Sequence, residues 1–115
     1  MRILIVDDNA SMRRMIRAVV KPVAEEIFEC ADGREAVETF ERIEPDWVLM
    51  DFGMPRLDGL QATRQIIAAN PHAQILLVTQ HDDEELRQAA SEAGVKGYVL
   101  KDNLFSLRST ITETP

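Results

Sequence analysis

Three aspartates, a threonine and a lysine each stand at the end of a short apolar segment: Asp7 and Asp8, Asp51, Thr79 and Lys101. Carboxylates are oxygen ligands for hard divalent cations, Mg2+ in particular, which keeps several of its waters when bound. A carboxylate can also serve as a nucleophile, a hydroxyl can donate to an oxyanion, and an ammonium neutralises developing negative charge. One such aspartate would be an ordinary turn residue or helix cap. Three gathered opposite a lysine would repel one another strongly without a counter-ion, so their convergence points to a cation site.

The segments between these residues must carry them to one place. Arg2–Val6 is short and apolar, as suits a buried strand of a parallel sheet. Met12, Met15, Ile16 and Val19 follow the i, i+3, i+4, i+7 spacing, which predicts an amphipathic helix facing inward along that stripe and stopped by Pro22. Ile27–Ala31 reads as a second strand. Asp32 is a good N-cap for a helix to about Arg42 that buries Ala36, Val37 and Phe40.

Trp47–Met50 is the third apolar run, and Leu60–Ala69 a helix with Leu60, Thr63, Ile66 and Ile67 inward, ended by Asn70-Pro71. Ile75–Thr79 is the fourth strand. Leu86, Ala89, Ala90 and Ala93 mark a helix closed by Gly94 as a left-handed cap. Lys96–Lys101 is the fifth strand, and a last helix starts near Asn103. Alternation of this kind implies a parallel sheet covered by helices on both faces, with ligands beyond the carboxyl ends of the strands. The aspartates, Thr79 and Lys101 all fall on that rim.

A chain of 115 residues fits one domain, 1–115. No run approaches the ~18 apolar residues of a membrane span, and Asp7 and Asp8 interrupt any leader-like pattern at once. With 20 acidic and 13 basic side chains the net charge is -7, which disfavours direct nucleic-acid binding. The one cysteine, Cys30, cannot form an internal disulfide, so a cytoplasmic protein is expected.

With these motifs in place the chain resembles the receiver domains of two-component response regulators, the CheY-like family, over essentially its whole length. The motifs are Val6-Asp7-Asp8, Met50-Asp51, Met54-Pro55, Asp58-Gly59, Thr79 and Lys101. The resemblance implies a flavodoxin-like, doubly wound (βα)5 fold of the α/β class, a three-layer sandwich around a five-stranded parallel sheet of order 2-1-3-4-5. It implies that Asp51 is the phosphoacceptor, that Asp7, Asp8, Asp51 and the backbone carbonyl of Gly53 hold Mg2+, and that Thr79 and Lys101 contact the phosphoryl oxygens. These residue types suit phosphoryl transfer, which needs an in-line nucleophile and cations on the equatorial oxygens.

The implied donor is a phosphohistidine on a sensor histidine kinase or phosphotransfer protein, or a small acyl phosphate. The domain would catalyse its own phosphorylation and slow dephosphorylation, as a signalling module rather than an enzyme releasing a metabolite. Tyr98 resembles the family's switch aromatic, which turns inward when Thr79 is drawn to the phosphate. The surface of the fourth helix, fifth strand and fifth helix would then change for an effector domain, a partner or a second phosphorylated copy. Of the singletons, Cys30 reads as a small buried hydrophobe and His72 as solvated. Trp47 is expected at the sheet's far end, about 13 Å from Asp51.

Two positions depart from the family pattern. Asp102 follows the lysine where proline is usual, which makes a trans bond the default there. Gln80 replaces a small residue after the threonine and would narrow access to the phosphate, while His81 beside it lies on the rim. A receiver-like scaffold without phosphorylation is opposed by the intact set of site residues. An aspartyl-phosphate phosphatase would need an acid where Gly53 stands. The Lys-Asp step resembles receivers fused to helix-turn-helix DNA-binding domains, so the N-terminal part of a transcriptional regulator stands beside a free receiver.

Overall fold

Five strands form: β1 (Arg2–Val6), β2 (Glu26–Cys30), β3 (Trp47–Met50), β4 (Ile75–Thr79) and β5 (Gly97–Leu100). Between and after them lie α1 (Ala10–Val20), α2 (Gly33–Ile43), α3 (Gly59–Ala69), α4 (Glu84–Ala93) and α5 (Ser106–Glu113). The computed structural model describes residues 1–54 and 56–113, so Pro55 of the Met54-Pro55 motif lies outside the described residues. The strands pair in parallel in the order β2-β1-β3-β4-β5, the α/β flavodoxin-like arrangement implied by the sequence.

The continuous apolar strands are explained by their two covered faces. Leu4, Val6, Val48, Met50 and Leu77 pack with Ala36, Phe40, Leu60 and Ile66 from α2 and α3. Their neighbours Ile3, Ile5, Leu49, Leu76 and Val78 pack with Ile16 of α1 and Leu107 and Ile111 of α5. The period-two alternation of side chains thus divides each run between two helical layers. Asn9, Asp32, Asp58 and Asp83 cap the first four helices, each accepting a backbone N–H of the first turn. Because every helix follows a strand, these caps crowd the rim that carries the site.

Several boundaries and faces differ from the sequence reading. Along α1, Ile16 and Val20 are buried while Met15 is 53% exposed. Met12 and Val19 pack partly buried beside them, so the expected stripe meets the core everywhere but at Met15. Pro22 sits in a 3-10 turn, Lys21–Val23, that closes the helix. β2 begins one residue earlier than expected, at Glu26, and buries only Cys30, as an edge strand can. β5 covers Gly97–Leu100; Lys101 opens a second 3-10 turn, Lys101–Asn103, which turns Leu104 into the core, and α5 starts only at Ser106. Among the described residues no helix is long and apolar enough to cross a membrane.

Candidate functional site

Parallel pairing continues one residue past the strands and sets the first two site residues. The Asp7 N–H donates to the Cys30 carbonyl at 3.1 Å, and the Asp51 N–H to the Val6 carbonyl at 2.9 Å. Asp7 (1% exposed) and Asp51 (7%) are thereby held beneath the rim, with Asp8 exposed beside them. Asp7, Asp8 and Asp51 each offer an oxygen, and these oxygens lie within 4.8 Å of one another. Lys101 reaches in from the end of β5, its Nζ 2.8 Å from Asp7 Oδ2 and 2.9 Å from Asp51 Oδ1. A cleft of about 190 Å³ brings Gly53, Thr79, Gln80 and His81 to the same carboxylates.

The backbone around Asp51 leaves no room for adjustment. A methyl group on Gly59 would lie 1.9 Å from the Asp51 carbonyl oxygen, so the start of α3 packs directly on Asp51. Gly33 has the same relation to the Leu57 carbonyl, at 2.1 Å. Arg56, in the left-handed region at φ 67, pairs with Asp32 at 2.6 Å and ties the β3–α3 loop to the cap of α2. The Glu35 N–H and then the Arg56 guanidinium hold the Asp32 carboxyl below the usual carboxylate range.

Burial pushes the Asp51 carboxyl up, with Asp7 adding to the effect and Lys101 opposing it. Burial also works against the Lys101 ammonium, but the flanking Asp7 and Asp51 outweigh it and raise its pKa. Two buried carboxylates therefore share one ammonium, with the exposed Asp8 carboxylate beside them. Asp7 Oδ2 is buried and, among the described residues, accepts no hydrogen bond of proper geometry, although the Lys101 ammonium stands 2.8 Å away. An all-oxygen donor set with surplus negative charge and an unsatisfied buried oxygen fits a hard divalent cation. At Gly53 a side chain would meet nothing within 4 Å, so that side of the cleft is open.

Arg13 was not singled out from the sequence, yet it supports the site. Its guanidinium donates to the Asp7 main-chain carbonyl at 2.7 Å and is held by Glu29 at 2.9 Å. A basic residue one turn into the helix after the acidic pair was the available signal. Thr79 is 1% exposed; its Oγ1 accepts the His81 N–H at 3.1 Å, leaving its own proton to donate. The His81 ring meets Phe52 edge-on at 5.9 Å. Tyr98 is half-buried, and its hydroxyl donates to the His81 main-chain carbonyl rather than standing only in water. The Lys101–Asp102 peptide is trans. Cys30 is buried against Thr39, its thiol pushed up to about 11 mainly by burial, and has no part in the site.

The response regulator receiver domain profile matches residues 3–111. The chain belongs to that family. Among curated relatives, the receiver is 36% identical to the chemotaxis protein CheY of Thermotoga maritima, over 87% of this chain and 84% of that one. It is 35% identical to the transcriptional regulatory protein DegU of Brevibacillus brevis, over 88% of this chain but only 44% of that protein. The receiver thus spans less than half the length of this longer relative. Among solved structures, the chemotaxis protein CheY4 of Vibrio cholerae superposes with a TM-score of 0.90 at 26% identity, covering 99% of this chain and 98% of that one.

Proposed function

We propose that this receiver, residues 1–115 as one domain, accepts a phosphoryl group on Asp51 and thereby switches the α4–β5–α5 surface. The observation that carries the reading is the convergence of Asp7, Asp8 and Asp51, two of them paired with the Lys101 ammonium, with Thr79 on the same cleft. Asp7, Asp8, Asp51 and the Gly53 carbonyl would hold Mg2+. When bound, that ion would neutralise charge on the transferring group. An Asp51 oxygen forms the new bond to phosphorus while the bond to the donor nitrogen or acyl oxygen breaks, and the donor leaves with the electron pair. Lys101 then exchanges its carboxylate partners for a phosphoryl oxygen, and Thr79 donates to another.

The donor is a phosphohistidine on a sensor kinase or phosphotransfer protein, or an acyl phosphate, in the cytoplasm. The match to part of a longer transcriptional regulatory protein supports a place at the head of such a regulator, with the effector domain as the partner of the switched surface. Incubation with acetyl phosphate and Mg2+ should add one phosphoryl group by mass, and none to Asp51→Asn. Full labelling of the Asn variant at the same site would refute the assignment. No labelling of the wild type would favour a scaffold, and repeated turnover a phosphatase.

A further inference from the structure

Phosphoryl chemistry leaves unexplained an arrangement of charged side chains on the outer side of Tyr98. Arg87 stands at the end of the first turn of α4, and its Nε and Nη2 both donate to Asp82 Oδ1, at 3.0 and 2.9 Å. Held this way, the guanidinium carbon lies 4.4 Å from the centre of the Tyr98 ring. The Tyr98 hydroxyl donates to the His81 carbonyl, and the His81 N–H donates to Thr79 Oγ1. Thr79, His81, Tyr98, Arg87 and Asp82 therefore form one chain of contacts spanning β4, the β4–α4 loop, α4 and β5.

We propose that Arg87 is a positioning residue which, with Asp82, clamps Tyr98 onto the β4–α4 loop and pre-sets the receiver's switch before phosphorylation. The inner side of the ring packs against the α2–α4 side of the core, and its outer face is covered by Arg87. A long arginine side chain left free would sample many rotamers; Asp82 selects the one that lies over the ring. The pair is half-exposed, at 41% and 57%, so neither contact is strong alone. Cation–ring attraction at such sites and a surface ion pair each shift an equilibrium by a few-fold. Acting on one ring they shift it by roughly tenfold, enough to turn a mixed population of Tyr98 positions into a nearly uniform one.

The clamp fixes how far the switch has to travel. In the wild type Tyr98 is already docked, so occupation of Asp51 changes its position little. Without Arg87 the ring divides between docked and released positions, and occupation of Asp51 must collect it. This second step rests on the reading of Asp51 as the phosphoacceptor; the clamp itself does not.

The protein has a single tyrosine, so selective labelling gives one ring to follow by NMR. The wild type should show one ring environment and a hydroxyl proton protected from exchange. Arg87→Gln and Asp82→Asn should each add a second ring environment and lose at least fivefold in hydroxyl protection. The double variant should be little worse than either single one, and Arg87→Lys should recover part of the loss. A single, fully protected Tyr98 in Arg87→Gln would overturn the clamp, and so would additive effects of the two changes.

Mg2+ with beryllofluoride, a phosphoryl analogue, should then return the Arg87→Gln ring to one environment. If fluorine NMR shows the analogue bound but the ring remains divided, the coupling to Asp51 is wrong. If the wild type does not bind it, the phosphoacceptor reading fails while the result in the free protein still decides the clamp.

Discussion

The two flanks of the sheet hold their share of the site in different ways. On the β1–β3 side, every residue of Ile3–Val6 and Trp47–Met50 is buried, and Asp7 and Asp51 extend those strands. Backbone there lies directly on backbone, at Gly59 against Asp51 and Gly33 against Leu57. On the β5 side, only Val99 of the strand is buried, and the eight-residue α5 is anchored by Leu107 and Ile111. Ser109, Thr110 and Thr112 of that helix donate their hydroxyls back to its own carbonyls, a habit that weakens helices slightly. Asp7 and Asp51 thus sit on the rigid flank, while Lys101 reaches them from the more loosely anchored one.

The sharpest way to break this contrast is a methyl group on each side. Gly59→Ala sets a carbon against the Asp51 carbonyl and should cost about 3 kcal/mol, whereas Gly97→Ala meets only the flexible Leu76 side chain and should cost less than about 1 kcal/mol. Urea melts of both would show it, and equal losses would mean the flanks are alike. Lys101→Ala removes a side chain that bridges them. With both carboxylate partners buried, it should cost about 3 kcal/mol without Mg2+, and added Mg2+ should recover more than it adds to the wild type. Such a variant should still be labelled on Asp51, while the accompanying change in partner affinity or dimerisation should shrink.

Asp51→Asn tests the strain on the rigid side. Burial raises the Asp51 carboxyl, so the fold favours its protonated form and loses stability as pH rises through that raised pKa. The Asn variant should lack this loss and melt several degrees higher than the metal-free wild type at neutral pH, with the gap closing in acid. A wild type that melts as high as the variant would remove the argument. Smallest is Ser109→Ala on the exposed side of α5, worth about 0.5 kcal/mol from helix propensity alone. It should appear as slower amide hydrogen exchange confined to α5.

Much of this was legible in the sequence because strands buried on both faces announce themselves. Trp47–Met50 and Ile75–Thr79 were bounded as observed, and Asp32 and Gly94 end their helices as their types require. The convergence of Asp7, Asp8, Asp51 and Lys101 follows from strand ends sharing a rim. What periodicity could not supply was the width of each contact, hence Met15 facing water. Nor could it foresee that the chain after β5 curls before α5 begins. Arg87 over Tyr98 is a meeting between separate elements that nothing local in its neighbourhood announces, and Arg13 on the Asp7 carbonyl has only its place one turn into α1 as a signal.

The lone tryptophan has a use that follows from its place. Trp47 begins β3, paired with Ile3 and 2% exposed, at the end of the sheet away from the aspartates. Four residues of strand separate it from Asp51, about 13 Å. Its emission should therefore collapse when the core is lost yet stay level while Mg2+ is titrated into the cleft. The molecule carries an optical gauge of folding that is deaf to events in its own cleft.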